Sequence, residues 1–207
     1  MLEGVSQVTA MDSPVPSNQP LPPAAIAALY LLDTDRLRLR HMAAEDADFI
    51  LELLNEPSFI QNIADKGLRT LEDARNYIIN GPMASYARHG FGLFLVQLKD
   101  AGTPVGICGL IKRDGLDDVD VGFALLERHC SRGYAVEAAA ATLAYGLGKL
   151  GLKRIVAITA PDNQRSIRVL ERIGMRFEKM LDLPQSGGEN RLFATDSTLE
   201  SGSVKDF

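Results

Sequence analysis

Hydrophobic and polar residues alternate strictly over Arg36-Leu37-Arg38-Leu39-Arg40, the period of a strand with one buried face. Residues 43–54 change to helical spacing, with Phe49, Ile50, Leu53 and Leu54 on one side. A second helix opens at Thr70 and runs through Ala74, Tyr77 and Ile78; Glu72 and Asp73 in its first turn suit the positive end of the helix dipole. Three apolar, strand-like runs follow at 91–98, 104–112 and 119–126, with Gly102-Thr103 turning between the first two. Gly133-Tyr134-Ala135 then leads into a long helix. Its predicted buried stripe is Val136, Ala140, Leu143, Leu147 and Leu150, and Gly151 ends it. Residues 154–160 read as a buried strand. Asn163 starts a short helix with Ile167, Leu170 and Ile173 inward, closed by a left-handed Gly174, and 191–194 form a last strand.

The resulting order, β-α-α-β-β-β-α-β-α-β, places antiparallel hairpins first and a β-α-β crossover after them. It predicts an α/β (α+β) fold, a central mixed sheet with helices on both faces. The 207 residues suffice for one domain. Five of the ten prolines fall in residues 1–23 among Ser, Asn and Gln, a stretch too poor in core residues to offset its ordering entropy. Residues 1–31 are expected to be a mobile Pro-rich tail, 32–196 the folded domain, and 197–207 a loose C-terminal tail.

Composition narrows the partners. A net charge of -5 argues against a general electrostatic grip on nucleic acid and suits a cationic amine substrate. The two cysteines, Cys108 and Cys130, form no zinc spacing and no disulfide framework, so no metal is expected and the reducing cytoplasm is the expected compartment. The apolar run at 24–32 falls far short of the ~20 residues that cross a bilayer, and no basic segment precedes it, so no membrane partner is expected.

The window 119–140, VDVGFALLERHCSRGYAVEAAA, is a strand, a short loop and a helix opened by glycine. The first N–H groups of a helix are unpaired and carry partial positive charge, so they favour a phosphate. Gly133 permits close backbone approach, and small Ala135 keeps the next turn open. The loop lacks Gly-Lys-Ser/Thr and G-x-G-x-x-G, which disfavours a nucleoside triphosphatase or a dinucleotide dehydrogenase.

Cys130-Ser131-Arg132-Gly133-Tyr134-Ala135, with Glu137 after it, resembles the coenzyme A loop of the GNAT N-acetyltransferases, usually Gln/Arg-x-x-Gly-x-Gly/Ala. Cys130 replaces Gln or Arg, and Ser131 stands where glycine is common. The stretch 34–40 resembles the family's first strand. Val119-Asp120-Val121-Gly122-Phe123 resembles its fourth strand, and 163–175 resembles its Asn-x-x-Ser helix with a glycine stop. The resemblance runs from about Thr34 to Ala194 and points to the branch that includes ribosomal-protein alanine N-acetyltransferases of RimJ/RimL type.

It implies a GNAT-like, mostly antiparallel sheet and transfer of acetyl from acetyl-CoA to a primary amine, directly within a ternary complex. The pyrophosphate is expected at Cys130, Ser131, Arg132, Gly133, Tyr134 and Ala135, the pantetheine arm along the backbone of Phe123, Ala124 and Leu125, and a further contact at Asn163. Asp120 is the candidate base and Ser166 the candidate donor to the leaving sulfur. Asp120 has a plainer reading beside Asp117 and Asp118, as the solvated end of a hairpin. Asn163 has one as a helix cap, with Ser166 in the first turn behind it. His129 is a second candidate base and Tyr134 a second donor. Cys130, at the start of a helix-opening loop, is expected to have a lowered pKa, yet no covalent acetyl intermediate is expected. The acceptor is a small-molecule amine or a protein N-terminus, and the chain a monomer or homodimer. Two other readings stand beside this one: an acyl-CoA-binding sensor without turnover, and a scaffold that uses the Pro-rich tail.

Overall fold

The computed structural model describes residues 30–183 and 188–196, so most of the expected N-terminal tail and all of the C-terminal one lie outside the described residues. Strand β1 (Tyr30–Asp33) starts within the segment expected to be tail. After it come β2 (Leu37–Arg40), a short 3-10 turn, and helices α1 (Ala47–Leu54) and α2 (Pro57–Asn62). Helix α3 (Leu71–Ile78) continues through a wide π turn (Ile79–Met83) into α4 (Ala84–His89). Then follow β3 (Leu93–Leu98), β4 (Pro104–Ile111), β5 (Val119–Leu125), α5 (Tyr134–Ala144) with a π turn (Tyr145–Lys149), β6 (Ile155–Thr159), α6 (Gln164–Arg172), β7 (Arg176–Leu183) and β8 (Gly188–Ala194).

The strands form one sheet in the order β1-β2-β3-β4-β5-β6-β8-β7. Every neighbouring pair is antiparallel except β5 and β6, which the α5 crossover joins in parallel. β3 and β4 are buried on both faces. The two-residue period sorts their side chains: Phe94, Val96, Cys108 and Leu110 join one core with α5 and α6, while Leu95 and Ile107 join another with α1 and α3. Local chemistry sets the helix starts. Thr70 Oγ1 accepts from Asp73 N at 3.1 Å while Asp73 Oδ2 accepts from Thr70 N at 2.9 Å, a closed capping box. Pro82 sits inside the π turn, where a missing N–H is tolerated better than in a regular helix.

The sequence reading lacks β1, which precedes its first strand, and α2; two further expectations need correction. The face of α5 turned to the sheet is Ala138, Ala139, Thr142 and Leu143, continued by Tyr145 and Gly146, whereas Ala140 is exposed. Small residues let this helix approach closely: a Cβ at Gly146 would lie 2.6 Å from Ile155 Cδ1. Of the expected stripe, Leu143 is buried and Leu147 and Leu150 pack against the same core, while Ala140 faces out and Ala138, Ala139 and Thr142 take the contact. The second correction is β7, a strand with no counterpart in the sequence reading. Nearly all its positions are exposed, so it carries no buried alternation, and it is held by backbone pairing to β8 at the edge of the sheet. Among the described residues no helix is long and apolar enough to cross a membrane.

Candidate active site

β5 pairs with β4 along its length, Gly106↔Leu125 through Ile111↔Asp120. Against β6 it pairs only at Val119↔Ile155 and Asp120↔Val156. Past Asp120 the two strands part, and among the described residues no strand pairs with this side of Val121–Leu125. Open strand edges of this kind seek a hydrogen-bonding partner. The gap opens into a cavity of about 840 Å³, lined along β5 by Asp120, Phe123, Ala124 and Leu125.

The loop after β5 bounds one end of this cavity. Ser131 (φ 61°) and Gly133 (φ 82°) occupy the left-handed region while Arg132 between them does not, the kind of alternation through which backbone N–H groups bind anions. Helix α5 begins at Gly133 with no side chain capping its first turn. A Cβ at Gly133 would lie 3.3 Å from Arg36 Nη2, so glycine is favoured here by both conformation and space. Arg36 anchors the loop: its Nη1 donates to Arg132 O at 3.0 Å, and its Nε donates to Glu137 Oε2 at 2.7 Å. Glu137 Oε1 accepts from Thr34 Oγ1 at 2.6 Å and from Arg36 N at 2.8 Å. Burial would raise the Glu137 pKa, but Thr34 and Arg36 outweigh it and hold the carboxyl below its ordinary value. The first-strand motif and the glycine loop, a hundred residues apart in sequence, are thus one assembly.

Cys130, Ser131, Gly133, Tyr134 and Ala135 line the cavity. Arg132 is exposed and does not, offering its carbonyl to Arg36 instead. Tyr134 packs with its ring 4.8 Å beneath the Arg36 guanidinium. The Cys130 thiol is pushed up, not down, because it is partly buried against Leu125 O and Leu126 O and lies near Glu127. From the far side of the gap, Asn163 Oδ1 accepts from Ser166 N at 3.1 Å, and both residues line the cavity. Asn163 is therefore a helix cap whose amide nitrogen is left over for other contacts.

Asp120 sits where β5 and β6 part. It is 1% exposed, unlike the hairpin end around Asp117, and its Oδ1 accepts from Ile158 N at 3.3 Å. Its Oδ2 accepts a short hydrogen bond from Arg113 Nε. Burial raises its pKa to about 6 against the opposing pull of Arg113. His129 does not line the cavity; burial and its neighbours Arg128 and Arg132 lower its pKa.

Sequence reasoning missed Arg113, Lys66 and Tyr77, which line the cavity near Asp120 and carry no motif. The chain-wide acidity, which suits a cationic amine, gives no hint of the charge on the cavity wall, which is the reverse. Seven Lys and Arg residues line it against three acids, Asp114, Asp120 and Glu127. That wall, the glycine loop at Gly133 and the open edge of β5 fit the phosphates and amide-bearing arm of a coenzyme A thioester.

Comparison with known proteins agrees. Residues 36–176 match the family model described as an acetyltransferase (GNAT) domain. The chain is 32% identical over 153 residues to YkkB of Bacillus subtilis, an uncharacterized protein, spanning 72% of this chain and 87% of that one. It is 31% identical over 147 residues to YnaD of the same organism, an uncharacterized N-acetyltransferase, spanning 71% and 83%. A GNAT-family acetyltransferase structure from Bacillus anthracis superposes with a TM-score of 0.68 at 28% identity, over 80% of this chain and 97% of that one. RimL, a ribosomal L7/L12 α-N-protein acetyltransferase solved with coenzyme A, shares the fold at 16% identity and a TM-score of 0.68, over 80% and 96%. The chain thus belongs to the GNAT family and is an N-acetyltransferase that moves an acetyl group from acetyl-CoA to an amine.

Proposed function

We propose that transfer is direct, with Asp120 as the proton acceptor and the loop 130–135 as the seat of the pyrophosphate. The observation that carries this reading is one cavity reaching from the glycine loop at Gly133, along the open edge of β5, to a buried carboxylate where the sheet divides. The bound thioester supplies an electrophilic carbonyl carbon. An amine attacks only when neutral, and free amines are protonated near neutral pH. With a pKa of about 6, Asp120 is ionised at neutral pH yet basic enough to take the proton, directly or through water. As the new C–N bond forms and the C–S bond breaks, the leaving thiolate takes a proton from Ser166 Oγ, with Tyr134 as the second candidate, and that hydroxyl is restored by the second proton the attacking nitrogen gives up, relayed through water. The N–H and C=O groups of Phe123, Ala124 and Leu125 hold the pantetheine amides like an added strand, and Asn163 steadies the arm from α6. Arg132 contributes through its backbone, its side chain lying away from the cavity. Relatives that are N-acetyltransferases favour catalysis over a silent acyl-CoA sensor.

Gly133→Glu places bulk and negative charge at the proposed anion seat. Coenzyme A is expected to raise the melting temperature of the wild type and to leave this variant unshifted. Thiol release with both substrates varied is expected to give intersecting reciprocal plots. Equal stabilisation of the variant would remove the loop assignment, and parallel plots would replace direct transfer with a covalent route.

A further inference from the structure

The end of the cavity away from the glycine loop is walled by α2–α4 and by the turn after β4. Four residues from separate elements meet there: Lys66, Tyr77, Arg113 and Asp120. Arg113 is bonded to Asp120, whose single negative charge it shares. Lys66 makes no ion pair with a carboxylate among the described residues, and Asp114, the other acid on this wall, is exposed at the turn. Lys112, nearby, is engaged by the carbonyls of Leu116 and Asp117. Arg88 adds another cation to the same wall.

Lys66 lines the cavity yet is exposed to solvent, and its pKa is lowered first by partial burial and then by the charge of Arg113. Two cations that repel one another beside a buried acid are poorly compensated, and an arriving anion relieves them. A second positive charge on the acceptor would meet the same repulsion, so this wall selects against polyamines.

We propose that Lys66 and Arg113 form a subsite for an acidic group on the acceptor, making the substrate a small amine that also carries a carboxylate or a phosphate. This rests on placing the acceptor amine against Asp120. The acid group docks between the two cations while the amine reaches the carboxylate where β5 and β6 part.

The test is thiol release from acetyl-CoA with matched acceptors. Glycine, alanine and phosphoethanolamine are compared with glycinamide, alaninamide and ethanolamine, and with spermidine and a short peptide. The acid-bearing amines are expected to exceed their neutral counterparts in kcat/KM by roughly ten- to hundredfold, the scale of a charge-assisted hydrogen bond. Which of them leads separates carboxylate from phosphate. Lys66→Gln is expected to erase that margin through KM and Lys66→Arg to keep it, with stabilisation by coenzyme A as the control for folding. The subsite is overturned if neutral amines, spermidine or the peptide are preferred, or if Lys66→Gln leaves the margin intact. If coenzyme A stabilises the protein but no amine of any class releases thiol, the catalytic reading at Asp120 falls and the subsite falls with it.

Discussion

Asp120 combines near-complete burial, a guanidinium partner and a main-chain donor, and burial wins. With Asp120 as the proposed proton acceptor, the rate is expected to show an acidic limb near pH 6, below which the carboxyl is protonated and cannot accept from an amine. Asp120→Asn is expected to lower kcat by ~10²–10⁴-fold and to abolish that limb. The consequence for stability has the opposite sign from the usual carboxylate. Between about pH 4 and pH 6 the folded state holds a proton that the unfolded state has lost, so wild-type stability falls as pH rises through that window. Melting temperatures at pH 4.5 and 7.5 are therefore expected to move in the variant's favour on going up, by an amount equivalent to roughly 2–3 kcal/mol. A constant difference would show that the buried carboxyl titrates normally. Little of this was legible beforehand. Asp120 could be named from its place in a motif, but an acid in a row of acids reads equally as solvated surface. Only the fold shows that the strand carries it inside while Asp117 stays out. Arg113 and Lys66 had no local signal, because their role comes from elements that meet only in three dimensions.

At the scale of elements, the bend into α5 is positioned from outside itself. Glu137, on the first turns of the helix, takes bonds from Thr34 and Arg36, and Arg36 in turn holds the loop carbonyl at Arg132. Glu137→Gln keeps the shape but puts an amide donor where a guanidinium expects an acceptor. We expect KM for acetyl-CoA to rise several-fold with a smaller change in kcat, and a stability loss of about 1–2 kcal/mol given the half-exposed Arg36. A change confined to kcat would mean the clamp does not set the anion seat. Elements were legible where their chemistry is local: the helix start at Thr70, the Asn163 cap and the left-handed Gly174 are all where the residues indicate. They were illegible where tertiary context decides. β7 has no buried face to leave a pattern, and much of the contact face of α5, Ala138, Ala139 and Thr142, is made of small residues that periodicity weighs least.

For the whole molecule, net charge and local charge disagree. The chain is acidic at -5, yet its cavity wall is cationic. Raising ionic strength from about 0.01 M to about 1 M shortens the screening length from about 30 Å to about 3 Å. KM for acetyl-CoA is expected to climb several-fold across that range in initial-rate measurements, while the melting temperature of the free protein moves little. An unchanged KM would mean that binding depends on the main-chain amides without help from the wall.

The two-pair parallel register between β5 and β6 has a mechanical consequence. The eight strands are effectively two blades, one of five and one of three, laced together by a short seam, by the Asp120 carboxylate and by the helices that straddle it. A molecule lodged in the notch between them touches both, so substrate binding is expected to stiffen the sheet as well as to raise its melting temperature.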